Sequence, residues 1–110
     1  MNKKYIVKEN TEFNEIINTG NKISNTEFII FYKNKKEKTP KFGITAPKKI
    51  GNAVIRNKCK RQLRNMVISN KLLFKNYNNY IIIIRKGFLI NSFKENEKSL
   101  INLIGGLNEQ

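Results

Sequence analysis

The apolar positions of this chain change their period several times, and each change predicts an element. Phe13, Ile16 and Ile17 recur at helical spacing between Asn10, a capping residue, and Gly20, a stop. Glu12 and Glu15 lie toward the start of that segment, where the helix dipole favours them, so a first helix is expected over 10–19. The preceding residues 1–9 are polar, and only Tyr5 and Ile6 are expected to tuck down. Residues 27–33 are β-branched and aromatic and predict a strand, with a further short strand over 22–24. A charged turn follows over 34–40, then a strand over 42–46 in which Phe42, Ile44 and Ala46 alternate. Pro47 ends it, residues 48–51 read as a linker, and Asn52 caps a long helix over 52–69. Ile55, Cys59, Leu63 and Met66 form one stripe on that helix, the expected docking face. Residues 80–84 are apolar without interruption, the mark of a strand buried on both faces. Strand, helix and such a strand in sequence suggest a βαβ crossover, for which chain chirality alone favours the right-handed form. Ser92 and Glu95 make a capping box. Phe93, Leu100, Leu103, Ile104 and Leu107 then predict a last amphipathic helix. No internal repeat is present.

Charge sharpens this outline. The 110 residues suffice for one domain and carry a formal net charge of +14, from 22 Lys and Arg against 8 acids, all Glu. Residues 1–37 contribute +2 and residues 95–110 contribute −2. Residues 38–94 hold 14 cations and no acid. Compositional drift would spread the charge; stripping acids from the middle half points to a polyanion. No apolar run approaches the roughly 20 residues of a spanning helix, and no signal-peptide core is seen, so no membrane partner is expected. Cys59 is the only cysteine, which fits a reducing, cytoplasmic setting. Without His or Asp, zinc binding and the Ser-His-Asp and Cys-His routes to nucleophilic catalysis are excluded.

The excess concentrates in residues 48–64, KKIGNAVIRNKCKRQLR, where Lys48, Lys49, Arg56, Lys58, Lys60, Arg61 and Arg64 face no acid. On the helix, Arg56, Lys60 and Arg64 form one row, Asn57 and Arg61 the next, and Lys58 points toward the far edge. Cationic rows on helices usually face only water. Here two like-charge pairs at i, i+4 each cost about 0.2–0.5 kcal/mol and no Glu relieves them, so a bound polyanion would remove a repulsion. A helix-turn-helix DNA reader would need a helix just before this one, and strands stand there instead. A sheet with aromatics beside a cationic helix better suits RNA.

The same run resembles the signature of the bacterial ribonuclease P protein component family at Lys48, Lys49, Gly51, Asn52, Ala53, Val54, Arg56, Asn57, Lys58, Lys60, Arg61 and Arg64. An early Phe, a glycine closing the first helix, and a Tyr-Ile-Ile-Ile strand followed by Arg-Lys extend the likeness over nearly the whole chain. The resemblance implies an α+β fold, a single αβββαβα sandwich with a left-handed βαβ crossover, like the second domain of ribosomal protein S5. It implies that the protein assists a catalytic RNA, with Mg2+, in removing the 5′ leader of precursor tRNA, so that ribonuclease P RNA and precursor tRNA are the partners. By the same likeness Lys48, Lys49, Asn52, Arg56, Asn57, Lys58, Lys60, Arg61 and Arg64 contact RNA, and Phe13, Ile17 and Phe31 border a leader cleft. For Phe13, core packing competes with that role. Arg85 and Lys86 match an Arg-Lys pair of the family; Arg85 has RNA binding or local pairing as alternatives. Mg2+ is expected mainly on the RNA, and for Asn57 the alternatives are a direct contact to Mg2+, a contact through water, or none. Four positions depart from the pattern: Ile17 for a second Phe, Phe31 for Tyr, Thr26 for Arg, and Asn65 for an acid. The competing readings are a noncatalytic, ribosomal-protein-like RNA-binding module and a DNA-binding structural protein.

Overall fold

The computed structural model describes residues 6–7, 10–35, 39–75 and 78–109. Its elements are α1 (Asn10–Thr19), β1 (Asn21–Ser24), β2 (Phe28–Asn34), β3 (Phe42–Thr45), α2 (Ala53–Ser69), β4 (Asn78–Ile84), α3 (Gly87–Ile90) and α4 (Phe93–Asn108). Every element expected from the pattern is present. The one-turn α3 is an addition, and the linker at Lys48–Ile50 is a 3-10 turn that buries Ile50. Residues 36–38 of the turn expected over 34–40 and the capping expected of Asn10's side chain lie outside the described residues, as does Tyr5.

The strands form one sheet in the order β1-β2-β4-β3. β1 and β4 run antiparallel to β2, and β3 runs parallel to β4. β4 occupies an interior position, as its uninterrupted apolar sequence requires: Tyr80, Ile81, Ile82 and Ile84 are fully buried. Because side chains alternate, Tyr80, Ile82 and Ile84 pack under α2 and α4 with Phe28, Ile30, Leu63, Met66 and Leu100. Ile81 faces the other way, into a smaller cluster with Val7 and Ile16 of the α1 layer.

The hand of the crossover follows from L-chirality. In an ascending strand, a residue whose side chain faces the viewer directs its own N–H to the right. Tyr80 faces the α2 layer, and its N–H donates to the Lys41 carbonyl at 2.9 Å. Seen from α2 with β4 ascending, β3 therefore lies on the right, and the chain passes leftward through α2 to β4. The crossover is left-handed, against the general preference and in keeping with the family resemblance.

α1 stops where it meets β2. A Cβ on Gly20 would stand 2.4 Å from the Ile16 carbonyl oxygen and 2.7 Å from that of Tyr32, so only glycine permits this approach. A polar clasp ties the start of β2 to α4. Asn25 Oδ1 accepts from the N–H groups of Glu27 and Phe28 at 3.0 and 2.8 Å, and its Nδ2 donates to Ser99 Oγ at 2.9 Å. The Glu27 carboxylate accepts from the hydroxyls of Thr26 and Ser99 and from Asn91 Nδ2. The Thr26 hydrogen bond, followed by that of Ser99, holds the Glu27 carboxyl below its ordinary value of 4.5. The clasp's stabilisation is therefore complete above that pH and is lost as pH falls through the lower, folded value. Thermal unfolding followed from pH 6 to pH 3 is expected to show a steeper acid loss for the parent than for Glu27→Gln; parallel curves would mean that the clasp does not depend on this charge.

Candidate nucleic-acid interface

The basic helix is set up by its approach. After the 3-10 turn, Gly51 takes φ 155° and ψ −165°, a conformation open essentially to glycine, and swings the chain into α2. Asn52 then caps the helix, its Oδ1 accepting the Ile55 N–H at 3.0 Å. Asn52 thus has a structural duty in its Oδ1, and its amide NH2 has no part in that cap.

On α2 the buried residues are Cys59, Leu63, Met66 and Val67. Ile55, expected to head this stripe, is 41% exposed. The first turn of α2 projects toward α3, and Ile55 there borders a cavity of about 230 Å³ with Lys58, Cys59, Gln62, Phe88, Leu89 and Asn91. Burial pushes the Cys59 thiol up, as befits a packed hydrophobe. Lys48, Lys49, Asn57, Lys58, Arg61 and Arg64 are exposed, and Arg56 and Lys60 are half-buried. None of these cations is in an ion pair with a described residue, and Arg56 Nε is buried without an acceptor. The repulsion read from the sequence is therefore not relieved within the described fold.

The second half of the site lies on the α1 side of the sheet. Phe13, Ile17 and Phe31 are half-buried around Val7, Ile16 and Ile81, so the three proposed cleft residues do come together. Strand register lines up Lys22, Phe31, Ile81 and Gly43 in one row across all four strands. At its β3 end, a Cβ on Gly43 would lie 2.9 Å from Ile81 Cδ1 and 3.2 Å from the Phe13 ring, so the bare glycine lets Phe13 lie down against the sheet. A cavity of about 170 Å³ opens at that edge, bordered by Ile6, Val7, Phe13, Phe42, Gly43, Ile44 and Arg64. Arg64 of the basic helix and Phe13 of α1, 51 positions apart in the sequence, thus share one recess.

Arg85 and Lys86 stand apart from this recess, at the β4–α3 corner. The Arg85 guanidinium donates to the Asn25 carbonyl at 2.7 Å, the local-pairing alternative, while Lys86 is exposed. The sequence reading missed Lys22, whose Nζ stands 6.0 Å from the Phe31 ring centroid, and Ile83, which packs beside Phe31. Their signal lies in cross-strand register, which requires the pairing to be known. No three His, Cys, Asp or Glu side chains cluster among the described residues, and residues 38–94 contain no acid. Mg2+ prefers carboxylate and other oxygen donors, so the basic face does not fit a protein-built Mg2+ site; Asn57 would bring a single amide oxygen.

Together these features define a small α+β sandwich with an acid-free helix beside an aromatic cleft. The family model described as Ribonuclease P matches residues 1–108. The ribonuclease P protein component of Mycoplasma mycoides is 44% identical over 105 residues, covering 94% of this chain and 96% of that protein. That of Streptococcus agalactiae is 36% identical over 104 residues, covering 94% of each. The structure of the Staphylococcus aureus RNase P protein superposes with a TM-score of 0.82 at 28% identity, over 92% of this chain and 93% of that one. The chain belongs to the ribonuclease P protein family, whose members are components of the ribonuclease P complex and serve tRNA processing.

Because Asn52 caps α2, Asn52→Ala is expected to lower stability to urea by about 1 kcal/mol. Asn52→Ser should restore the cap. A binding defect that persists in Asn52→Ser then reports an amide contact with RNA, and one that disappears reports only helix support.

Proposed function

We propose that this chain binds ribonuclease P RNA and the 5′ leader of precursor tRNA, and assists Mg2+-dependent endonucleolytic removal of the leader in the cytoplasm. The observation that carries this reading is the shared recess of Arg64 and Phe13, which joins a phosphate-binding group to an aromatic face. α2 offers the row Arg56, Lys60 and Arg64 beside Asn57 and Arg61, with Lys58 at its edge and Lys48 and Lys49 on the approach. Guanidinium forks suit phosphate oxygens; Arg56 presents its fork from a half-buried position, and Arg61 and Arg64 present theirs from the exposed face. Phe13 and Phe31 give single-stranded bases a surface, and such stacking is worth about 1–3 kcal/mol per base. Ile17, where a second Phe is common, supplies an apolar wall without a ring.

The chain's own chemistry stops at binding and orientation. It has no His or Asp to act as general base, and its Glu residues lie outside the basic section. Bond cleavage is therefore assigned to the RNA, with Mg2+ held mainly there. Neutralising phosphates on both RNA molecules would let the substrate approach the RNA subunit at lower Mg2+.

Reconstitution tests this. Added to a bacterial ribonuclease P RNA at low Mg2+, the protein is expected to stimulate 5′ processing of precursor tRNA; RNA binding without stimulation would favour a noncatalytic RNA-binding module instead. Arg61→Ala and Arg64→Ala should each reduce the salt slope of RNA binding by about 0.7–0.9 while thermal unfolding stays unchanged. Loss of folding in these variants would mean that the row is structural.

A further inference from the structure

We infer that Lys22 is a second anion anchor for the leader, at the opposite edge of the sheet from Arg64. The inference rests on the leader-cleft reading above and adds a residue outside the basic helix. In the row Lys22, Phe31, Ile81, Gly43, Lys22 stands on the outermost strand, β1, while Gly43 on β3 adjoins the Arg64 recess. Three inter-strand steps separate these ends, about 14 Å in all. Between them Ile81 is buried beneath α1, while Phe31 and Ile83 beside it stay half-buried and offer aromatic and apolar surface. A single-stranded polyanion crossing the sheet alongside α1 meets a cation at each end and that surface in the middle.

Two lysines flank Phe31 on this face, and the structure distinguishes them. Lys33, two positions along β2, donates from Nζ to Glu15 Oε1 at 2.8 Å and to Thr19 Oγ1 at 2.7 Å. Its charge is compensated within α1. Lys22 is exposed and has no acid partner among the described residues. Its ammonium stands 6.0 Å from the Phe31 ring centroid, so one side of it meets the aromatic face and its other donors remain directed outward. A base stacked near Phe31 would bring its phosphate within reach of those donors.

The test uses the holoenzyme assembled from this protein and a bacterial ribonuclease P RNA. Affinity is measured for precursor tRNA with a long leader and for tRNA without one, at several salt concentrations. With the parent protein, the long leader is expected to bind more tightly. Lys22→Gln should weaken long-leader binding about two- to fivefold near 0.1 M salt and lower its salt slope by about 0.7, without changing leaderless binding. Lys22→Arg should restore both. If Lys22→Gln retains the parent's long-leader affinity and slope, the inference is overturned and the cleft reading stands. Equal weakening of both substrates would also overturn it, because Lys22 would then act away from the leader. If the parent itself does not distinguish the two substrates, the cleft reading fails first.

Discussion

Burial of β4 on both faces is the constraint from which the other layers follow. A strand of four consecutive isoleucines behind a tyrosine cannot leave either side in water. One face takes α2 and α4, the other takes α1, and the two edges take β2 and β3. The polar atoms drawn inside with it are provided for. Tyr80 Oη donates to the Lys75 carbonyl at 3.0 Å. The buried Asn79 accepts the Lys41 N–H at 3.1 Å and donates to Glu12 at 3.0 Å, which ties β4 to both β3's approach and α1.

This sandwich separates the tasks of the molecule. The α2–α4 side holds the larger core, with stacked and edge-on contacts among Phe42, Phe74 and Tyr80 at centroid separations of 5.0–5.6 Å. The α1 side holds a smaller cluster and leaves Phe13, Ile17 and Phe31 half-buried. Aromatic rings in the first setting are enclosed by the core, whereas those in the second keep part of their surface exposed. α2 belongs to both settings: its Leu63 is fully buried, and the next residue, Arg64, turns out to the recess at the β3 edge.

The outline of the fold was legible because its signals are local. The glycine stop at Gly20, the Asn52 cap and the Ser92–Glu95 capping box all stand where the sequence positions them. The rows of α2 were equally legible, since helical period fixes which residues neighbour each other. Ile55 was misassigned because a stripe shows which residues share a face but not where the partner surface ends. Lys22 was missed for a related reason: its neighbour Phe31 is brought to it by strand pairing across a turn, and spacing along the chain carries no trace of that. The hand of the crossover was readable only through family likeness, because chirality alone favours the opposite hand.

Gly43 carries no side chain, and that absence sets how closely Phe13 approaches the sheet. Phe13 rests where a Cβ would otherwise be, wedged against Ile81. A Cβ there would press on the Ile81 Cδ1 methyl and push the Phe13 ring by a few tenths of an ångström. The lie of that ring in the recess would then change while the cations of α2 kept their places. The lie of the aromatic ring and the charge of the basic helix are thus governed by different positions in the chain.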